Sequence, residues 1–385
     1  MSREGRVELI RRIEELRNSR VITYITSDRG QVVFPPLPTP SLRADIADDA
    51  VWIFYKILNE IGDCERIDLF IYSRGGDASV PWKLVSLIRK YCEEFNVLIP
   101  FRAHSAATMI ALGADNIICC SGAELGPIDP SLTTPFNPRD PQTKAPIQIN
   151  IEAVRAYLEE FVKDVIKNDD ERLKALEIFI NRTNPLAIGE IFRQTKYIRQ
   201  VAKKIMETSK KNKRKDLDKI IRKLIEETYH HRHAITSHEA KEIGLNVEFA
   251  RSDLEKLMIS LINDYLEELQ YTKPLTPWGF VNNPNQVKIP IAFIESMELS
   301  YVFNVTLQPS FKRQMPQNFQ FTMNLQLPPE IKELLQEDPN LNKLINEFAR
   351  RLAPQIQQMV IQELQRQAPV VGMDIKIIEV KWEKL

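Results

Sequence analysis

An apolar run of about 18 residues, the length that crosses a bilayer as a helix, occurs nowhere in this sequence. The first twenty residues, MSREGRVELIRRIEELRNSR, are charged where a secretory leader is apolar. A membrane-spanning or secreted protein is therefore not expected, and the reading is cytoplasmic and reduced. Cysteine is scarce: Cys64, Cys92, Cys119 and Cys120 sit in or beside apolar segments without the C-x-x-C pairs of a zinc site. Buried free thiols are the expectation, and no metal or other cofactor is implied. Glycine is also sparse, 12 in 385 residues, which with 27% charged and 43% hydrophobic residues excludes fibrous and disordered classes. Net charge is absent altogether, since 52 basic residues balance 52 acidic ones, so no overall field draws the molecule to nucleic acid or an anionic membrane. The local basic run from Lys203 to Lys223 contains leucine and isoleucine at helical spacing and reads as a solvated amphipathic helix.

What is present is a regular alternation. Glu8–Arg17 has helical spacing and leads into the β-rich VITYIT. After the proline-rich QVVFPPLPTPSL, read as an extended arm suited to reaching another subunit, come a helix through DDAVWIFYKILNEIG and a strand at RIDLFIYS. A helix from Val80 to Tyr91, a strand at NVLIPFRA, a helix starting near Ser105 and a strand at NIICC follow. Nearly continuous apolar strands separated by helices predict an α/β fold with a parallel sheet covered on both faces. Thr133–Asn150 reads as a long surface loop and Ile151–Glu227 as a helical extension. HAITSHEAKEIGL reads as a helix capped by Ser237 and ended by Gly244. The expected division is residues 1–250 as the chemical domain, 251–285 as a helix and a Pro/Asn-rich linker, and 286–385 as a small α+β module. In that module IPIAFIESMELSYVFNVTLQP, FQFTMNLQLP and GMDIKIIEVKW read as strands, and the intervening helix as interrupted at Pro354.

Two strand-to-helix junctions carry chemistry. Ser73-Arg74-Gly75-Gly76-Asp77 ends one strand, and adjacent glycines let backbone N–H groups turn toward an oxyanion. One β-α unit later stands His104-Ser105-Ala106-Ala107-Thr108, in which a serine at a helix start presents its hydroxyl beside the N–H of Ala106. The plain alternatives are a tight turn at the glycines and a simple helix cap at Ser105. His104 reads as a structural neighbour, and Arg74 and Asp77 as a surface ion pair or as substrate contacts, the ion pair being the favoured reading.

YSRGGDASVPWKLVSLIRKY, followed by FRAHSAATMIALGADNIICCSGAELGPIDP, resembles the Clp protease/crotonase superfamily. Within it, the sequence is similar to the serine dehydrogenase proteinases, related to signal peptide peptidase A. The resemblance runs from about Ser19 to Val247 and implies a Clp/crotonase-like core, a cofactor-independent serine peptidase acting through an acyl-enzyme on peptides or unfolded segments, and a homo-oligomer. It implies Ser105 as nucleophile and Gly75 or Gly76 with Ala106 as oxyanion hole. Asp129 stands 24 residues after Ser105, where Clp peptidases carry their histidine. A reordered Ser–Asp–His triad then takes Asp129 as orienting acid and His231 as base, with His230 and His233 beside it. Lys144 is the alternative base of a Ser/Lys dyad. A different class of reading also stands: a Clp-like scaffold without catalysis, serving assembly or binding.

Overall fold

A computed structural model describes residues 3–28, 43–129, 131–132, 136–140, 142–147, 149–212, 216–226, 233–271, 286–314, 328–329 and 339–385. Apolar period decides the elements. Helix α1 (Arg3–Arg17) buries Arg6, Ile10 and Ile13 along one stripe, and the β-branched run after it extends as β1 (Arg20–Thr26). In α2 (Asp49–Ile61) the buried set Ala50, Ile53, Phe54, Ile57 and Leu58 has the spacing of a single helical face. The alternation continues through β2 (Cys64–Tyr72), α3 (Val80–Ile88), β3 (Cys92–Ile99), β4 (Arg102–Ala103), α4 (Ala106–Leu112), β5 (Asn116–Cys119) and β6 (Glu124–Leu125). The expected surface loop at 133–150 contains an Arg139–Pro146 bridge, and β7 (Ser131–Leu132) pairs with β8 (Ile149–Asn150) at its borders.

The expected helical extension resolves into α5 (Ile151–Arg155), a π-helical stretch (Ala156–Val165), α6 (Asp169–Arg182), α7 (Pro185–Glu207), a 3-10 turn at Lys210–Asn212 and α8 (Leu217–Glu226). The basic run thus divides between the end of α7 and α8. Then come β9 (Ile235–Thr236), α9 (Ser237–Ile243), β10 (Val247–Phe249), α10 (Ser252–Glu268), β11 (Val287–Glu295), β12 (Ser300–Arg313), α11 (Pro339–Gln367) and β13 (Val370–Lys384). Two local expectations are corrected. The cap of α9 is Thr236, whose Oγ1 accepts the Glu239 N–H at 3.3 Å, while the buried Ser237 hydroxyl donates to Ala123 O at 2.9 Å. Pro354 lies inside α11 and does not interrupt it. Gly244 ends α9 in the left-handed region at φ 113°, as expected. The proline arm at 31–42 and the strand expected at 319–327 lie outside the described residues.

The main sheet has the order β10-β5-β3-β2-β1-β11-β12-β13. From β10 to β1 every pair is parallel, and β11 joins β1 antiparallel, so the described strands after residue 286 extend the same sheet. Alternate side chains of each parallel strand enter different layers. Ile67, Leu69 and Ile71 of β2 pack with Phe54, Leu84 and Ile110 on one side, while Phe70 and Tyr72 pack with Ile10, Leu261 and Tyr265 on the other. Each such side chain contributes about 1.5–3 kcal/mol on burial. This is the α/β fold predicted, with helices on both faces.

On the α1/α10 side, buried Arg6 donates to Glu295 of β11 through Nε at 2.8 Å and Nη2 at 3.0 Å, and to Asp264 of α10 at 3.1 Å. The Tyr265 hydroxyl adds a 2.6 Å bond to Glu295. Among the described residues, no helix is long and apolar enough to cross a membrane.

Candidate active site

The site forms beyond the carboxyl ends of β2 and β3, where ligands of parallel sheets gather. Ser73, fully buried, stitches its two halves together. Its N–H donates to Arg102 O at 3.1 Å and its carbonyl accepts the His104 N–H at 3.0 Å. Its Oγ accepts from Thr26 Oγ1 at 2.7 Å and from the Gly75 N–H at 3.0 Å. The glycine turn is thereby pressed against the serine. A Cβ on Gly75, at φ 101°, would stand 2.6 Å from His104 O and 2.7 Å from Ser105 Cβ, so only glycine fits.

Gly76 is held from the other side. Ile46 N–H donates to Gly75 O at 2.8 Å and Asp77 N–H donates to Ile46 O at 2.9 Å, a parallel bridge centred on Gly76. The N–H groups of Gly75 and Asp77 are therefore engaged. For Gly76 N–H, and for Ala106 N–H at the first turn of α4, there is no hydrogen-bond acceptor among the described residues.

Ser105 occupies the cap position of α4 but does not cap it: its side chain makes no bond to the helix start. Its backbone, at φ 51° and ψ −116°, lies in a region that costs a non-glycine residue on the order of 1–3 kcal/mol. Buried Thr108 pins the turn, its Oγ1 lying 2.7 Å from Ala103 O and accepting the Gly126 N–H at 3.1 Å.

Ser105, Gly76 and Asp129 line one cleft of about 750 Å³, together with Ile46, Arg74 and Asp77 from one wall and Arg193, Tyr197 and Ile198 of α7 from the other. Asp129 is only 4% exposed. His104 turns elsewhere: its ring packs over Gly126, and Nε2 lies 3.1 Å from Glu124 Oε1. Burial, with the nearby charges of Arg102 and Arg74, pushes its pKa down to about 4 against the pull of Glu124, so the ring is neutral near pH 7.

Among the other base candidates, His233 is exposed with Nε2 3.0 Å from Glu239, and it does not line the cleft. Lys144 is exposed on its loop at φ 58°, its N–H bonded to Asp140 O at 2.9 Å, and is likewise not a lining residue. His230 and His231 lie outside the described residues. The expected Arg74–Asp77 pair does not form. Arg74 Nε donates to Asp28 at 2.7 Å, and Asp77 accepts the Ser79 N–H at 2.8 Å.

Sequence reading missed Asp28, Ile46 and Tyr197. Ile46 acts through its main chain and leaves no side-chain signature, while Tyr197 reaches the cleft only because α7 packs against α3 and α4.

A model of the ClpP-like SDH-type serine proteinases matches residues 2–183. Two uncharacterized proteins of Methanocaldococcus jannaschii are similar to this chain. One is 29% identical over 248 residues, 63% of this chain and 73% of its own, and the other 27% over 243 residues, 63% and 71%. Among solved structures, the 1510-N membrane-bound stomatin-specific protease aligns with a TM-score of 0.34 and 17% identity, covering 65% of this chain and 84% of that one. ClpP1 from Listeria monocytogenes aligns with a TM-score of 0.32 and 15% identity, covering 63% and 98%. Over residues 2–183, a little under half of its length, the chain is thus similar to the ClpP-like SDH-type serine proteinases.

Proposed function

We propose that the protein is a serine peptidase that opens peptide bonds through an acyl-enzyme on Ser105. The observation that carries this reading is the backbone of Ser105: strained, withdrawn from capping, and facing a cleft it shares with Gly76 and Asp129. Strain of this kind persists where a surrounding frame over-determines the geometry, and Ser73, Thr108 and Gly75 supply that frame.

In the proposed reaction Ser105 Oγ attacks the scissile carbonyl, and the N–H groups of Gly76 and Ala106 receive the developing oxyanion. Two such donors each contribute about 10²–10³ in rate. Gly75 serves as the close-approach residue behind them, its own N–H engaged by Ser73. The base that takes the Oγ proton returns it to the amine as the tetrahedral intermediate collapses, then takes a proton from water as the water attacks the acyl group and gives it back to Ser105 Oγ. Asp129 is the acidic member of the site and His231 the base that the family resemblance favours, with Lys144 as the competing assignment. Extended peptide or unfolded protein is the proposed substrate, and a homo-oligomer the proposed working form.

A fluorophosphonate probe tests the nucleophile. Wild type acquires one label, located to Ser105 by peptide mapping, and Ser105→Ala acquires none. Persistent labelling of that variant would sink the assignment, whereas an unlabelled wild type that cleaves no peptide would favour a binding scaffold.

A further inference from the structure

Just past the end of β1, and outside the cleft lining, lies Asp28, 6% exposed. Its carboxylate gathers donors from several segments of the chain. Tyr72 OH at the end of β2 donates at 3.1 Å and Arg74 Nε at 2.7 Å, Arg102 Nη1 makes a close ion pair, and the Tyr271 hydroxyl beyond α10 adds another bond. Arg102 continues outward through Nε to Glu124 at 3.0 Å. Burial opposes the charge on Asp28, but Tyr271 and the two guanidinium groups outweigh it and hold the carboxyl below its ordinary range.

The placement of the two arginines matters more than their number. Arg74 immediately precedes Gly75 and Gly76, and Arg102 stands three residues before Ser105. One buried anion therefore grips both segments of the site, one on each side of the Ser73 stitch. Taking a charge out of water costs several kcal/mol, and apolar residues of similar volume often pack as stably, so packing alone does not account for this carboxylate. Fixed geometry does, because guanidinium groups bind carboxylate oxygens along set directions.

We propose that Asp28 is a positioning residue of this site, setting the separation between the Gly76 donor and Ser105 through Arg74 and Arg102. The inference rests on Ser105 being the nucleophile. A misplacement near 1 Å costs on the order of 100-fold in rate. Because Asp28 lines no part of the cleft, its loss acts on the chemical step and leaves peptide affinity alone.

The test uses the full chain, with an activated ester for kcat and KM and the fluorophosphonate for the acylation rate. Asp28→Asn is expected to lower kcat and acylation by roughly 10- to 100-fold with KM within about twofold. Arg74→Gln, at a side chain already 37% exposed, keeps the test alive should the buried substitution impair folding. It should lower kcat in the same way, whatever it does to KM as a residue of the cleft wall, and the double variant should lose no more kcat than Asp28→Asn alone, because both cut one connection.

Folded Asp28→Asn that acylates within about twofold of wild type would overturn the proposal. So would an Arg74→Gln effect confined to KM, or additive losses in the double variant. If wild-type Ser105 takes no label, the nucleophile assignment falls and this inference with it. If wild type labels normally and Asp28→Asn does too, only the role of Asp28 falls.

Discussion

Ile46 and Gly76 meet main chain to main chain, so closely that a Cβ on Gly76 would stand 2.2 Å from Ile46 O and 2.4 Å from Ile46 N. In a parallel bridge the central residue turns its own N–H and C=O away from its partner. Ile46 thus fixes where the Gly76 N–H points without touching it.

Gly76→Ala should for that reason fail in a particular way. The methyl group must push Ile46 aside, rotating the Gly76 N–H out of line. We expect kcat to fall by about 10²-fold or more, comparable to losing one oxyanion donor. A lower melting temperature should accompany it. A variant that keeps wild-type acylation would remove Gly76 from the oxyanion hole.

Ser105→Gly separates function from strain. Glycine adopts φ 51° and ψ −116° readily, whereas alanine keeps the steric cost of a Cβ. Both substitutions abolish labelling, yet Ser105→Gly should be the more stable of the two by about 1 kcal/mol in urea unfolding. Equal or reversed stabilities would show that the backbone at Ser105 is relaxed.

His104 makes stability depend on pH. Its folded pKa is about 4 against an ordinary value of 6.5, so between these values the unfolded chain holds a proton that the folded chain refuses. Stability therefore declines as pH falls from about 6.5 and levels off below about 4. Carboxylates with depressed pKa values, Asp28 and Asp115 among them, act in a lower window, losing their contribution as pH falls from near 3.8 through their folded values. Between pH 7 and pH 5, unfolding free energies should fall further for wild type than for His104→Gln, by on the order of 1 kcal/mol. Parallel profiles would refute the buried neutral ring.

The base can be assigned by a pair of substitutions. With His231 as proton acceptor, His231→Gln lowers acylation by about 10³-fold or more, Lys144→Gln stays within a few-fold of wild type, and the wild-type acylation profile rises through a histidine-like pKa. The opposite pattern would move the role to Lys144.

The core was legible in sequence because each helix and parallel strand carries its own apolar period. The α2 face at Ala50, Ile53, Phe54, Ile57 and Leu58 is a case in point. Gly75-Gly76 and Ser105 were legible because their residue types sit at strand-to-helix junctions. Asp28 was not, since the meaning of an aspartate after β1 depends on two arginines that only folding brings near it. The Ser237 cap was misjudged because Thr236 and Ser237 have the same capping chemistry, and only burial of the Ser237 hydroxyl against Ala123 decides between them.

The antiparallel seam between β1 and β11 also bears on the order of events as the chain is made. Until Glu295 has emerged, β1 is the open margin of the parallel sheet, and Arg6 lacks one of its carboxylate partners, which stands 289 positions further along the chain. A contact so distant in sequence closes slowly, and an uncovered strand margin invites pairing with other chains meanwhile. Nascent or truncated chains that stop short of β11 should therefore depend on chaperone cover even though the residues of the proposed site have all been synthesised. Completion of the sheet, rather than of the site, then sets when the molecule becomes safe from aggregation.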